Sequence, residues 1–202
     1  MDSVAFAFCD AVASALKEIP PLANANSAEW SLWKSAFADH YANRLNLRLR
    51  IGFEDGNCSY TLSKARSETY CISVDLEEVK KAHRKYVHLR FLTFGDYRYR
   101  AESSLSEIRS ILKFLRPFVG PSASLALHGI KAPREVIAEL LSLFRSAPFW
   151  YIMLFEYEEA FEDFLKKQFK LDSLQEFEVY DYCPRALELE AEFERIQSER
   201  RV

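Results

Sequence analysis

Glycine is scarce, with 5 in 202 residues. Phosphate-cradling loops need several glycines close together, and neither G-x-G-x-x-G nor a Walker-type loop occurs. There is no G-x-S-x-G elbow, and Ser122-Ala123-Ser124 lacks the flanking glycines. The 4 cysteines, Cys9, Cys58, Cys71 and Cys183, make no C-x-x-C pair, and Cys71 sits in no recognisable nucleophile frame. The 4 histidines, His40, His83, His88 and His128, include no i, i+4 pair of the kind that ligates zinc. No apolar run approaches the roughly 18 residues that span a bilayer. Asp2 and Asp10 interrupt the beginning, where a secretory leader would carry basic residues before an apolar stretch. Neither Asp2 after Met1 nor the terminal Arg201-Val202 fits a lipidation signal. These absences read as a non-enzymatic intracellular chain, cytoplasmic or nuclear. They imply no membrane, no metal and no cofactor, and four reduced, mostly buried thiols.

What is abundant is apolar and aromatic surface: 49% hydrophobic residues, with 16 Phe and 10 Tyr. A chain of this length and composition buries a full core. Its charge is unevenly placed. Residues 1–43 hold 2 Lys/Arg and 5 Asp/Glu (net −3), 44–116 hold 15 and 9 (net +6), and 117–202 hold 10 and 16 (net −6). The simplest reading is a compact particle with a charge gradient; two partners of opposite charge is the alternative.

The second half repeats one unit. Leu125 to Ile130 reads as a strand before the helical spacing Val136, Ile137, Leu140, Leu141, Phe144. Phe149 to Phe155 precedes Phe161, Phe164, Leu165 and Phe169, and Phe177 to Tyr180 precedes a last helix over 185–201 striped by Leu187, Phe193 and Ile196. The period is about 25 residues, within the range of strand-plus-helix repeats that stack side by side. Such stacks offer one long face to a partner, which points to binding.

The first half is more varied. Ser3 begins a predicted helix over 4–18, ended by Pro20-Pro21, and Ser27 begins a second with Trp30, Trp33, Phe37 and Tyr41 on one stripe. Leu45, Leu47, Leu49, Ile51 and Phe53 then alternate with polar residues as a half-buried strand. Glu54-Asp55-Gly56-Asn57 turns it into a hairpin with Cys58, Tyr60 and Leu62, after which 63–71 read as irregular. Asp75 caps a short helix from Leu76 to about His83, and Val87, Leu89 and Phe91 read as a strand. Ser104 to Glu107 matches the S-x-x-E capping box before Leu105, Ile108, Leu112 and Leu115, and Pro117 and Gly120-Pro121 stop that helix. The resulting fold class is α/β. A helical hairpin over 1–43 precedes a strand–helix domain over 44–202 whose strands form a curved, mainly parallel sheet.

The opening Met1-Asp2-Ser3-Val4-Ala5-Phe6-Ala7-Phe8-Cys9-Asp10-Ala11-Val12, with Trp30, His40 and Asn43-Arg44 ahead of an alternating strand, resembles the nematode-expanded families of F-box and F-box-associated proteins. In those families a short helical module precedes units similar to leucine-rich repeats. The resemblance implies that the head docks to the linker subunit of an SCF-type ubiquitin ligase while the repeats present a client protein. Ala5 stands where an F-box typically carries Pro, so a standalone protein-binding module is the alternative.

The candidate partner-binding residues are Phe6, Phe8, Val12 and Leu16 on the first helix, with Phe149 and Trp150 on a strand. Phe6 falls off its helix's main stripe, and Phe149-Trp150-Tyr151 puts bulk on both faces of its strand. Each is either an exposed anchor or a residue buried from two sides. Lys80, Lys81, Arg84, Lys85, Arg90, Arg98 and Arg100, interleaved with Tyr86, Tyr97 and Tyr99, form a basic stretch of the kind that binds nucleic acid. The chain carries no nucleic-acid signature and is net negative, so a hydrated surface or a site for an acidic partner is the simpler reading. Glu156, Glu158, Glu159, Glu162 and Asp163 read as the solvated start of a helix, where acids suit its dipole.

Overall fold

The structure is a computed structural model that describes residues 6–16, 31–54, 56–65, 71–96 and 101–200. Among these are eight strands and seven α-helices. In chain order they are α1 (Phe6–Ala15), α2 (Ser31–Asn43), β1 (Leu45–Glu54), β2 (Asn57–Ala65), β3 (Cys71–Ser73), α3 (Leu76–Lys81), β4 (Val87–Gly95) and β5 (Ala101–Ser103). There follow α4 (Leu105–Leu115), β6 (Val119–Leu127), α5 (Arg134–Ser142), β7 (Phe149–Leu154), α6 (Glu162–Gln168), β8 (Glu176–Val179) and α7 (Pro184–Arg200).

All strands join one sheet in the order β3-β2-β1-β4-β6-β7-β8, with β5 also pairing to β2. From β1 to β8 the pairings are parallel and follow chain order. The β1–β2 hairpin and the short strands β3 and β5 make an antiparallel margin. The hairpin closes at Gly56, whose φ of +81° is the left-handed conformation that glycine adopts without Cβ strain. The stretch 63–71, expected to be irregular, is strand at both ends: β2 continues to Ala65, and β3, starting at Cys71, pairs with Ser63, Lys64 and Ala65.

Right-handed crossovers that always step in one direction put every helix on one side of a sheet. The core follows from that geometry. Leu49, Leu92, Leu125, Ile152 and Phe177 lie abreast across five strands, and Ile51, Phe94, Leu127 and Leu154 form the next row. Both rows are buried in one cluster with Ile108 and Leu112 of α4, Ile137 and Leu141 of α5, Leu165 of α6, and Leu189 and Phe193 of α7. Burial of this kind stabilises by roughly 1.5–3 kcal/mol per large side chain.

The helix starts are built as their residues dictate. The Asp75 carboxylate accepts from the Glu77 amide, and Ser104 Oγ accepts from the Glu107 amide at 3.2 Å. On α7 the buried stripe is Ala186, Leu189 and Phe193, with Ile196 packed against it. Leu187, expected on that stripe, is 44% exposed, because six residues of helix set it about 120° around the axis from Phe193.

Two bulges depart from simple alternation. The β1–β4 register jumps from Leu47↔Leu89 to Arg48↔Phe91, so Arg90 has no opposite number. The extra residue moves Phe91 off the side occupied by Val87 and Leu89. The β6–β7 register jumps from Ala123↔Phe149 to Ser124↔Tyr151, leaving Trp150 unmatched. Gly120-Pro121, expected to precede the strand, lies within β6. The pairing with β4 skips from Val119 to Ser124, so Pro121 falls where no ladder donor is required.

The helices α1 and α2 pack on each other around a separate small core of Cys9, Ala13, Ala36 and Phe37, flanked by Leu16 and Trp33. Trp33 stacks on Phe37 with ring centres 5.7 Å apart. Tyr41, expected on the same stripe, is exposed.

The open face of the sheet as a candidate docking site

Side chains on the sheet face away from the helices form rows fixed by the same register. One row runs Arg48, Phe91, Ser124, Tyr151, Glu176, and the next Arg50, Thr93, Ala126, Met153, Glu178. Except for buried Ala126, these residues are exposed or half-exposed. Parallel sheets covered on both faces carry near-continuous apolar runs. Arg48, Thr93, Ser124 and Glu178 break those runs, so among the described residues this face is the less covered of the two.

The row at the strand ends is aromatic. His128, Phe155 and Tyr180 each follow the last core residue of β6, β7 and β8, and their amides continue the ladder: His128 N–H to Phe94 O, Phe155 N–H to Leu127 O, Tyr180 N–H to Leu154 O. The His128 and Phe155 rings lie 4.2 Å apart and 3° from parallel, and Phe155 and Tyr180 lie 4.6 Å apart at 6°. The three rings form one continuous stack across adjacent strands. Burial holds the His128 imidazole below its ordinary pKa, against an upward pull from Glu156. Its stacked ring is therefore favoured in the neutral form.

The two ends of the face differ in charge. At the β1–β4 end, the Arg48 guanidinium lies 4.6 Å from the centre of the Phe91 ring, Arg50 is exposed, and Arg90 donates to Ser122 Oγ. At the β7–β8 end, Glu178 accepts from the hydroxyls of both Tyr151 and Tyr180, the latter at 2.5 Å. The Tyr151 hydroxyl first, and then that of Tyr180, keeps the Glu178 carboxyl below the usual carboxylate range, so it stays ionised. Asp181 accepts the amides of Tyr157 and Cys183, in that order of influence on its own lowered pKa.

The residues singled out in the sequence separate in space. Phe149 is 0% exposed between Phe144 and Phe164, so it is a core residue and offers no surface. Trp150, half-buried, lies edge-on to Tyr151 at 6.2 Å, and its carbonyl accepts from the Gln175 amide. Phe8 is 56% exposed and meets Trp33 edge-on, whereas Val12 and Leu16 are half-buried in the head. The backbone of Phe6 lies in α1, and its side chain is outside the described residues, as are Trp30, Tyr97, Arg98, Tyr99 and Arg100. Of the thiols only Cys9 is buried; Cys58, Cys71 and Cys183 are half-exposed and free, because their elements lie at margins of the two cores.

Two members of the basic stretch are engaged in ion pairs. Lys80 pairs with Glu77, and Lys85 reaches into the head, 3.1 Å from Asp10 and 3.3 Å from Asp39. In the acidic run, Glu162 takes two hydrogen bonds from Arg185, at 2.6 and 2.7 Å, and one from Lys166. That arrangement ties α6 to α7. Among the described residues no group of three or more His, Cys, Asp or Glu is placed to hold a metal ion, and no helix is long and apolar enough to cross a membrane.

The aromatic stack escaped the reading by periodicity because its members sit just beyond the strands. The signal is nevertheless in the repeat: a ring occupies the same position of three successive units, Leu127-His128, Leu154-Phe155 and Val179-Tyr180. The fold defines a mixed α/β protein with a mostly parallel eight-stranded sheet. No family model, curated protein or solved structure matches the chain.

Proposed function

We propose that this chain is a non-enzymatic protein-interaction module whose client lies across the open face of the sheet. One observation carries the reading: the uncovered face presents a three-ring stack and a guanidinium–aromatic pair on a rigid parallel sheet. Rigid aromatic and Arg side chains dominate the binding energy of protein interfaces, because they bury much area at little cost in conformational freedom. The test is crosslinked capture from cell extract by wild-type chain and by Arg50→Glu/Met153→Glu. Loss of the captured client in the double variant, with unchanged melting temperature and with capture retained in the helix-side control Lys113→Glu, is the expected result. Equal capture by all three chains refutes the reading.

The finer reading is a substrate-recognition subunit of an SCF-type ubiquitin ligase, with the linker subunit on the head. It is supported by the resemblance of the opening residues and by the exposure of Phe8 on a helix pair with its own core. Phe8→Ala is expected to weaken co-purification with the linker subunit by about tenfold, the effect of losing one exposed anchor. Retention of the linker by the variant returns the chain to the standalone alternative.

A further inference from the structure

We infer that the free edge of β8 takes up an extended protein segment with Lys or Arg at alternate positions; this rests on the docking reading and names the chemistry of the partner there. Among the described residues β8 pairs only with β7, so its other edge has no strand neighbour. A strand added beside it would gain backbone hydrogen bonds, the mode in which sheets capture peptides. Its alternate side chains on the open face would stand opposite Glu176, Glu178 and the residue that follows in phase, Tyr180.

Those three residues suit a cation. Glu176 and Glu178 are exposed. Glu178 is positioned by two phenol hydroxyls that keep it ionised without neutralising it. Tyr180 is the last ring of the stack and is 48% exposed, so a partner's guanidinium or ammonium can lie on the aromatic surface where a fourth ring would otherwise go. Tyr182, two residues further along the chain, is 87% exposed.

A second copy of this chain is a poor occupant. Pairing β8 with β8 sets glutamates against glutamates, and like charges directly opposite are destabilising. The same carboxylates repel a phosphate backbone. Charge therefore selects a basic polypeptide.

The experiment uses the full chain and the labelled, end-capped peptide Thr-Lys-Val-Lys-Thr-Arg-Val, read by fluorescence anisotropy. Glu176→Lys/Glu178→Lys is expected to weaken binding at least about tenfold, Tyr180→Ala by a smaller factor, and raised salt to weaken the wild-type complex. A peptide of the same composition with its three cations contiguous, and one with N-methylated backbone amides, are both expected to bind more weakly. Glu176→Gln/Glu178→Gln repeats the test without reversing charge, should the first variant fail to fold. Equal binding of the alternating and contiguous peptides, or no loss in either glutamate variant, overturns the inference. So does concentration-dependent dimerisation abolished by the same substitutions, which assigns the edge to a second copy. If the peptide does not bind while Arg50→Glu/Met153→Glu still abolishes client capture, the edge assignment falls and the open-face reading stands.

Discussion

In the body of the molecule, five helices lie on the sheet through Leu, Ile and Phe, in a single cluster that runs from Leu47 to Phe193. In the head, Cys9, Ala13, Ala36 and Phe37 make a core of four residues, and the attachment to the body is polar. Arg44, buried, donates to the carbonyls of Ala13 and Ser14 at 3.2 and 2.8 Å, where the C-terminal carbonyls of α1 lack partners of their own. Within the head His40 Nε2 donates to Asp10 at 3.0 Å, and across the joint Tyr86 donates to Asp39. Lys85 spans both aspartates and lies 4.6 Å from the centre of the Tyr86 ring. Apolar contact is non-directional and tolerates sliding, whereas hydrogen-bonded charge holds one geometry and fails when one partner is lost. The body is thus fastened by area and the head by a few directed bonds.

The comparison breaks most severely at the core. Leu127→Asp buries an unpaired carboxylate in a 0% exposed position and is expected to cost more than about 4 kcal/mol, read as loss of the cooperative denaturant transition. Arg44→Ala is expected to cost about 2 kcal/mol, confined to the head. Hydrogen exchange checks this: amides of α1 and α2 should lose protection while those of β6 and β7 keep theirs. An equal loss in both regions would mean that head and body unfold as one.

Acid should also reach the joint before the core. Burial first, then the charges of Arg44 and Arg90 and the His40 ring, hold the His88 imidazole down at about 4, against an ordinary 6.5. The folded state keeps His88 neutral while the unfolded chain takes up a proton as pH falls through 6.5. Stability from this residue is therefore full above 6.5, declines between 6.5 and about 4, and is level below. Melting temperatures from pH 7.5 to 4 should fall less steeply in His88→Gln than in wild type. The smallest expected effect is Ser104→Ala, at about 1 kcal/mol for a lost helix cap in the body, read from the denaturation midpoint.

Most elements were legible because their periods are local. The 2-residue alternation of β1, the Asp75 and Ser104 caps, and the recurring strand–helix unit all show in the chain before any contact is known. What was not legible depends on strand register. The bulges at Arg90 and Trp150 turn Phe91 outward and bury Phe149, and only the neighbouring strands reveal that one residue is extra. On α7 the local spacing does hold the answer, since Leu189 lies one turn before Phe193 and Leu187 does not, and the buried side follows it. The joint was invisible for another reason. Its members come from α1, α2 and the turn before β4, and no local pattern signals that Asp10, Asp39 and Lys85 meet.

Because each parallel strand lies beside its successor in the chain, the architecture is modular in width. One more strand-plus-helix segment spliced between Leu127 and Phe149 would add about 4.8 Å to the platform and leave β1, β2 and the head joint undisturbed. A unit can be gained or shed without rethreading the rest of the chain, each change lengthening or shortening every row of the open face by one residue.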